Sequence, residues 1–432
     1  MRQGARMKAA VEVLEDIFVR HRPAAQALSD WGKAHRFAGS GDRAAIGNLV
    51  YDVLRRRLSL AARMGEDGPR ALVLAAAPDA LGMSVDEVIA AADGSPHALD
   101  PLNDAERAGL AGDVPADAPL HVRADIPEWL APSFERVFGA RAISEGEALA
   151  RRAPVDLRVN TLKADRERVL KALARYGASA TAMSPVGVRI PSPTGPGRTP
   201  NVEAEPGHGK GWYEVQDEGS QIAALLAGPA PRRQMLDLCA GAGGKALALA
   251  AAMQNTGQVY AYDSDRIQLR PIFDRLKRAG VRNVQVLPAA DEAAVVGLGP
   301  RFDVVLVDAP CTGSGVWRRR PDSKWRVKPQ NLADRPQEQR AVLDLGAGLV
   351  RPGGRLVYVT CSVLPEENRD QVSDFLSRHA DFSLQPFAEI WPTFIGGEAP
   401  ESADGHSDTL LLTPSRHGTD GFFIASLLRH DL

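Results

Sequence analysis

The chain has three cysteines, and each of them follows a short apolar segment. Cys239 ends QMLDLC, Cys311 follows FDVVLVDAP and Cys361 follows LVYVT. Their odd number, wide spacing and lack of a CxxC pair do not fit a disulfide framework or a zinc ribbon, and we expect no metal. A single buried cysteine is usually a small apolar residue. Because Cys311 and Cys361 stand among small or polar residues, where a thiolate can be exposed, the pattern favours chemistry at these two positions.

A reactive thiol next to a methyl donor indicates a definite reaction. Carbon 5 of a pyrimidine becomes nucleophilic once a thiolate adds to carbon 6. The carboxylate of Asp308, three residues before Cys311, can bind the exocyclic amine or the protonated ring nitrogen of cytosine. The proton on carbon 5 must then leave, and either a second thiol or a water would serve as the base.

A glycine-rich loop, LDLCAGAGGK, provides a site for the donor. Gly241, Gly243 and Gly244 allow close approach of a ligand to outward-facing amides. Asp263 follows Gly244 by 19 residues, near the ~20 at which a carboxylate binds the ribose hydroxyls of a nucleoside. The loop matches neither GxGxxG nor GxxxxGK[ST], which disfavours a dehydrogenase and favours S-adenosylmethionine, with Asp237 near its amino-acid end.

The second half of the chain alternates strand-like and helix-like segments, which predicts βαβ units around a buried parallel sheet. Helices are expected over 245–253 and 265–279 and near 338–350. Ligands of such sheets bind beyond the carboxyl ends of the strands, where the cysteines, Asp263 and Asp308 lie. Asp291, after NVQVLPAA, either flanks the adenine or is an ordinary loop acid.

The first half has a different organisation. Residues 1–64 carry 12 Lys or Arg against 6 Asp or Glu, and their apolar residues recur at helical spacing. From about Pro127 a strand, a helix and a second strand, GVRI, predict a small α+β unit, and a Pro- and Gly-rich loop follows. We therefore expect three domains: helical over 1–126, α+β over 127–210 and α/β over 211–432.

Composition sets outer limits on function. With 432 residues and a net charge of −2, RNA contacts need local basic patches. No apolar run reaches the length of a membrane span, and acids interrupt the N-terminal segment, so a cytoplasmic protein without membrane contact is expected.

Together the motifs resemble the bacterial 16S ribosomal RNA cytosine-C5 methyltransferases, a family of RNA m5C methyltransferases with an N-terminal NusB-like domain. The resemblance rests on VQDEGSQ, LDLCAGAGGK, VLVDAPCTGSGVWRRRPDSKW, LVYVTCSVLPEEN and GTDGFF. It implies a Rossmann-like catalytic domain, with Cys361 as the nucleophile and Cys311 as the residue that helps to release the product; Asp308 and Lys245 complete the predicted catalytic set. The family often has proline where this chain has Ala242. The cofactor-binding residues that it implies are Cys239, Ala240, Gly241, Ala242, Gly243, Gly244, Lys245, Asp263, Asp291 and Asp308.

Several basic residues are candidates for RNA binding. Arg158 and Asn160, in RVNTLK, resemble the small RNA-contacting unit that precedes the catalytic domain in this family. After the catalytic motif, basic residues alternate with Trp317 and Trp325, a pattern that either binds a backbone and stacks a base or is a solvated loop with two buried tryptophans. The candidates in that segment are Arg318, Arg319 and Lys324.

The sequence thus predicts an enzyme that methylates carbon 5 of a cytosine in RNA, with 16S ribosomal RNA or an assembling small subunit as its partner. Two alternatives remain: an RNA-binding ribosome-assembly factor that has lost turnover, and an m5C methyltransferase that acts on transfer RNA.

Overall fold

A computed structural model of the chain describes residues 1–431, which fold into two compact units. The helical unit contains residues 1–153, 192–200 and 317–326, and the sheet unit contains the remainder. Two short segments from later in the chain thus belong to the helical unit. Because this division differs from the three domains expected from the sequence, the boundaries of 1–126, 127–210 and 211–432 stay a prediction.

The helical unit is built around a buried central helix, α5, whose residues Ala71–Ala77 are all buried. Pro69 occupies its first turn and Gly82, with φ +66°, ends it, as the preferences of these residues favour. Capping boxes begin α6 at Ser84 and α7 at Asn103. The helices are α1 (Gln3–Arg20), α2 (Ala24–Ala34), α3 (Ser40–Arg55), α4 (Arg57–Met64), α5 (Pro69–Leu81), α6 (Val85–Ala91), α7 (Asp104–Ala111), α8 (Leu120–Arg123), α9 (Ala131–Phe138), α10 (Ala142–Leu149) and, in chain order, α18 (Pro321–Arg326).

The sheet unit begins with a small antiparallel sheet of strand order β2-β3-β1-β4. Apolar residues of β1 and β3 pack against α11 around the buried Val169. The α+β elements expected after Pro127 are therefore present, with two short helical turns inside the Pro- and Gly-rich segment. The elements are β1 (Val155–Val159), α11 (Arg166–Ala172), β2 (Ser179–Ala180), β3 (Gly187–Ile190), α12 (Pro206–Gly209) and β4 (Tyr213–Val215).

The large sheet of this unit has eight strands in the order β10-β12-β9-β8-β5-β6-β7, with β11 paired to β12. β5 to β9 are parallel, whereas β12 runs antiparallel to β9, β10 and β11. The elements are α13 (Glu218–Leu226), β5 (Gln234–Asp237), α14 (Gly244–Ala252), β6 (Gln258–Ala261), α15 (Arg266–Leu269), α16 (Ile272–Ala279), β7 (Val284–Val286), α17 (Glu292–Val296), β8 (Phe302–Asp308), α19 (Pro329–Leu349), β9 (Val350–Thr360), α20 (Arg369–Arg378), β10 (Phe382–Gln385), α21 (Phe387–Phe394), β11 (Leu410–Leu412), α22 (Pro414–His417) and β12 (Phe422–Arg429).

This mixed sheet refines the expected parallel one. The five predicted parallel strands are present, and three antiparallel strands extend the sheet beyond β9. The single helix expected over 265–279 is two helices, because Pro271 lacks the N–H that a continuous helix requires. The helix expected near 338–350 begins earlier, at Pro329. Among the described residues, no helix combines the length and apolar character that a membrane span requires.

Candidate active site

Two thiols meet at the carboxyl edge of the large sheet. β8 and β9 are parallel neighbours with Asp308 opposite Val359, so the residues that follow them leave the sheet side by side. The Sγ atoms of Cys311 and Cys361 are 3.4 Å apart. Strand pairing therefore brings together two cysteines that are 50 residues apart in the sequence.

The two thiols have unequal surroundings. The hydrogen bond to Cys361, together with burial, raises the pKa of Cys311 well above its ordinary value. Cys311 thus keeps its proton and can donate it to the sulfur of Cys361. Cys361 also interacts electrostatically with the buried ammonium of Lys245. Cys361 is thus the acceptor of this hydrogen bond and lies near a buried cation.

The loop that carries Cys311 is held by a buried carboxylate. Glu367, in a 3₁₀ turn after β9, is fully buried. Its carboxylate accepts hydrogen bonds from the backbone N–H of Thr312 at 2.8 Å and from the Thr312 hydroxyl at 2.6 Å. The amide of Gln339, on α19, donates to the carbonyl of Pro310 at 2.9 Å and to Glu367 at 3.3 Å. The backbone on both sides of Cys311 is therefore fixed.

A second set of bonds joins the loops after β8 and β9. The hydroxyls of Ser314 and Ser362 are 2.9 Å apart. The N–H of Gly315 donates to the carbonyl of Cys361, and the N–H of Gly421 donates to the carbonyl of Gly315. An added Cβ at Gly315 would lie 2.2 Å from the carbonyl oxygen of Gly421, so only glycine fits there. Three loops thus share one rigid junction around Cys361.

An ion pair lies beside the thiols. Nζ of Lys245, on α14, is 2.6 Å from the carboxylate of Asp308, and the lysine side chain is only 6% exposed. Burial acts to lower the pKa of Lys245, but the charge of Asp308 and its hydrogen bond outweigh burial, so the pKa is raised. Lys245 therefore stays a cation and orients the Asp308 carboxylate.

A second carboxyl group, that of Asp237, lies near this pair. Asp237, the last residue of β5, is fully buried, and neither of its carboxyl oxygens has a hydrogen-bond partner among the described residues. Burial, reinforced by the charge of Asp308, raises the pKa of Asp237 to about 7. A buried, unsatisfied polar group is costly without a partner, so this carboxyl group fits a polar ligand at the strand end.

The glycine-rich loop lies between β5 and α14. Gly241, with φ +50°, opens onto space in which an added Cβ would meet no atom within 4 Å. The carboxylate of Asp263, after β6, accepts from the N–H of Gly241 at 2.8 Å and from the N–H of Asp265 at 2.7 Å. A carboxylate oxygen can accept two hydrogen bonds, so within the part of the chain that the structure describes each oxygen keeps one lone pair free. The loop and Asp263 therefore fit the ribose of a nucleoside.

The other residues predicted to bind the cofactor lie around this loop. Burial and nearby carboxylates raise the pKa of Cys239 well above its ordinary value, so its thiol stays neutral. The backbones of Ala240 and Ala242 bond to Tyr262 and Arg275, which fixes the loop without proline. Asp291 is exposed and caps α17 through the N–H of Ala294.

The site as a whole fits S-adenosylmethionine. The unsatisfied carboxyl of Asp237 and the open space at Gly241 suit its amino-acid end, and the free lone pairs of Asp263 suit its ribose. The thiols and Asp308 lie at the same edge of the sheet. The geometry therefore suits methyl transfer to a base that a thiolate has attacked.

The structure argues against RNA contact by Arg158 and Asn160. Both side chains are buried. Nε of Arg158 donates to the Gln216 side chain at 2.6 Å, and the amide of Asn160 donates to two backbone carbonyls, each at 2.8 Å. Side chains buried to this extent offer RNA no surface. Through these hydrogen bonds, both side chains instead join strand β1 and the turn after it to neighbouring segments of the same unit.

The basic residues at 317–326 belong to the helical unit. Lys324 is buried, its Nζ donates to the carbonyl of Arg55 at 2.8 Å, and burial lowers its pKa to about 8. Arg318 is buried as well, whereas Arg319 is half-buried. Trp317 stacks on Phe134. Neither interpretation fits this segment as a whole: Trp317 is buried and Trp325 half-buried, but Arg318 and Lys324 are buried and not solvated.

Sequence reasoning did not find the group that fixes the loop of Cys311. Glu367 was visible only as part of the EEN motif, and Thr312 and Gln339 only as ordinary polar residues. The available signal was an acid six residues after Cys361, in a segment that returns to the same sheet edge.

Comparison with known proteins gives two family matches. Residues 224–428 match the model described as 16S rRNA methyltransferase RsmB/F, and residues 126–195 match the ferredoxin-like domain of RsmF/B-like methyltransferases. The second match covers the first part of the small antiparallel sheet. Both matches concern proteins of the same group.

Individual relatives agree with these matches. The chain is 34% identical over 307 residues to the probable ribosomal RNA small subunit methyltransferase B of Synechocystis sp.; the alignment covers 70% of this chain and 66% of that protein, just under two thirds. The solved structure of PH0851 covers 99% of both chains with a TM-score of 0.72 and 26% identity. A methyltransferase homolog from Pyrococcus horikoshii covers 72% of this chain and 97% of its own, with a TM-score of 0.58 and 28% identity.

Proposed function

Because the chain belongs to the RsmB/F family of 16S rRNA methyltransferases, we propose that it transfers a methyl group from S-adenosylmethionine to carbon 5 of a cytosine in RNA. The observation that carries this proposal is the pair of thiols, 3.4 Å apart, beside the carboxylate of Asp308. Methylation of an exocyclic nitrogen or a ribose oxygen needs no thiol, whereas carbon 5 of a pyrimidine needs one to become nucleophilic.

The proposed substrate is small-subunit ribosomal RNA. This assignment is supported by the names of the family model and of the relatives, one of which is called ribosomal RNA small subunit methyltransferase B. A base inside folded RNA has to leave its stack before its carbon 6 can meet a thiol. Free single strands or an assembling particle therefore offer the target more readily than a closed helix.

In the proposed mechanism, the Cys361 thiolate adds to carbon 6 of cytosine. The electron pair of the 5,6 double bond then makes carbon 5 nucleophilic. On the opposite side of the base, the Asp308 carboxylate accepts hydrogen bonds from the exocyclic amine and from the protonated ring nitrogen. Lys245 keeps Asp308 in place. S-adenosylmethionine, held by the glycine-rich loop, Asp263 and Asp237, supplies the methyl group that carbon 5 accepts. Its fit is supported by the unsatisfied Asp237 carboxyl.

Cys311 is the proposed base for product release. In the free enzyme, its hydrogen bond to Cys361 is the largest cause of its raised pKa. Once the sulfur of Cys361 is bonded to carbon, it no longer accepts this hydrogen bond as a thiolate would, so the largest cause is removed and burial remains. Cys311 can then lose its own proton to solvent and accept the proton of carbon 5, and the electron pair of that C–H bond restores the double bond and expels Cys361.

A pair of cysteine variants tests the mechanism. Cys361→Ala should lower methyl transfer by at least about a thousandfold, because it removes the nucleophile. Cys311→Ala should accumulate protein–RNA adduct that survives denaturing gel electrophoresis, because the proton on carbon 5 then leaves slowly. Unchanged melting temperature and S-adenosylmethionine affinity are the controls. Product formation by Cys361→Ala would refute covalent catalysis, and no shifted band with Cys311→Ala would assign proton removal to water.

Bisulfite sequencing of RNA from cells with and without the chain tests the substrate. We expect one cytosine of small-subunit ribosomal RNA to lose protection when the chain is absent. Loss confined to transfer RNA would keep the chemistry but change the substrate. Unchanged protection at every cytosine would favour the ribosome-assembly factor.

A further inference from the structure

The helical unit carries an aromatic cleft that the proposed chemistry does not use. The cleft has a volume of about 930 Å³ and lies among the start of α1, the end of α2 and the segment after α6. Small apolar side chains, among them Ala5, Ala9 and Ala91, form its floor. Trp31, His35 and Phe37 form one wall. This volume is within the range of sites that bind small organic groups.

The aromatic wall is ordered and partly exposed. The rings of Trp31 and His35 stack at 4.3 Å with an interplanar angle of 16°, and His35 meets Phe37 edge-on at 5.8 Å. The indole N–H of Trp31 donates to Glu12, and Nδ1 of His35 bonds to the carbonyl of Trp31. Phe37 is nevertheless 73% exposed. A large aromatic ring held in water beside a stacked pair is a platform for a further flat ring.

Positive charge surrounds this wall. Arg2 and Lys8 line the cleft from α1, and Lys33 and the exposed Arg36 lie on the same segment as the aromatic residues. Three acids offset part of this charge: Asp30 pairs with Lys33, Asp93 interacts with Arg2, and Glu12 accepts from Trp31. Arg36 and Lys8 form no ion pair among the described residues. The whole chain carries a net charge of −2, so this local excess of cations is not a general property of its surface. Cations next to an aromatic platform suit a phosphate linked to a base.

We propose that this cleft binds an unstacked nucleotide of single-stranded RNA, with its base on Phe37 and the phosphates near Arg36 and Arg2. The inference rests on the proposed function, because it assigns the occupant to the RNA substrate. The cleft is a second RNA contact in the helical unit, distinct from the target cytosine. It replaces contacts that sequence reasoning assigned to Arg318 and Lys324, which are buried.

The test uses the full chain and a fluorescein-labelled twelve-residue oligouridylate, which contains no cytosine to methylate. Phe37→Ala should raise its Kd about tenfold, since one stacked base contributes that much or more. Arg36→Glu should raise the Kd several-fold and flatten its dependence on salt. The matched controls are Phe273→Ala, a comparably exposed phenylalanine of the sheet unit, and Arg107→Glu, an exposed arginine on α7. Both should bind as the wild type does.

A Kd within twofold of wild type for both Phe37→Ala and Arg36→Glu would overturn the proposal. Photocrosslinking of 5-iodouridine oligonucleotides gives an independent measurement: crosslinks within residues 31–37 support the cleft, and crosslinks confined to other segments overturn it. Methyl transfer to cytosine-containing RNA is measured on the same samples. If the wild type transfers no methyl group, the proposed function is refuted and the binding results still decide the cleft. If it does transfer, Phe37→Ala should raise the KM for RNA and leave kcat unchanged.

Discussion

The loops that carry the thiols and the loop between β5 and α14 lie at the same sheet edge but are stabilised in different ways. Around Cys311 and Cys361, the polar groups bond to one another, as Glu367 bonds to Thr312 and Ser314 to Ser362. Around Gly241, polar groups are left with unused capacity. Within residues 1–431, neither carboxyl oxygen of Asp237 has a hydrogen-bond partner, and each oxygen of Asp263 has one.

This difference separates two tasks. A nucleophile and a base have to stand at fixed positions before the substrate arrives, and a closed hydrogen-bond network holds them there. A site for a polar ligand needs acceptors that the ligand can satisfy, so it is incomplete without the ligand. Changes to the thiol loops should therefore affect the rate, and changes to the glycine-rich loop should affect binding.

Among changes to residues that only position the thiols or bind the cofactor, Glu367→Ala has the largest expected effect on activity. Loss of the carboxylate frees the Thr312 N–H and displaces Cys311, and a shift of about 1 Å can cost about a hundredfold in rate. Affinity for S-adenosylmethionine should stay unchanged, as isothermal titration would measure. Glu367→Gln should recover most of the rate, because its carbonyl accepts from the N–H while its amide donates to the Thr312 hydroxyl. Equal losses in both variants would show that charge, and not position, is what Glu367 provides.

A smaller effect is expected from Asp263→Ala. The variant removes two acceptors for the ribose and releases the N–H of Gly241, so the Kd for S-adenosylmethionine should rise about thirtyfold. Asp265→Ala is the matched control, because Asp265 only caps α15 and should leave the Kd within twofold. If kcat at saturating S-adenosylmethionine fell by the same factor as the affinity for S-adenosylmethionine, the glycine-rich loop would affect the rate as well as binding, contrary to the comparison.

The last expected effect concerns stability and pH and leaves the rate and the binding of cofactor aside. Asp237 keeps its proton up to about pH 7 in the folded chain, whereas an unfolded Asp loses it near pH 4. Its contribution to stability is therefore fully present below about pH 4 and is lost as pH rises towards 7, at roughly 1 kcal/mol per pH unit. Asp237→Asn should remove this dependence in urea unfolding without ligand. Parallel pH profiles for the variant and the wild type would mean that Asp237 is already ionised.

Local sequence patterns were sufficient to predict the parallel strands and the position of the thiols at their carboxyl ends. Buried apolar runs such as FDVVLVD leave little choice of structure, and parallel pairing then aligns the strand ends. The break at Pro271 was also readable, because proline stops a helix, although one helix was expected there. The antiparallel β10 to β12 were not predicted, since their short apolar runs do not specify the direction of a partner.

Side-chain partners were the part that the sequence could not supply. Arg158 and Lys324 carry the charge expected of an RNA contact, but tertiary packing buries both, and a charge in a sequence does not reveal its burial. Glu367 was overlooked for the same reason, because its partner Thr312 is 55 residues away. Asp308 and Lys245 were recognised because a motif, and not a charge alone, identified them.

The close contact between Gly315 and Gly421 limits which substitutions the protein can accept during evolution. Each glycine lies too close to the other's backbone for a side chain, so alanine at either position displaces the loop of Cys361. A substitution at the other position cannot compensate by making room, because that position already has glycine, the smallest residue. In a randomised library selected for methyl transfer, both codons should therefore remain glycine, and the C-terminal segment should tolerate less drift than its distance from the thiols in the sequence indicates.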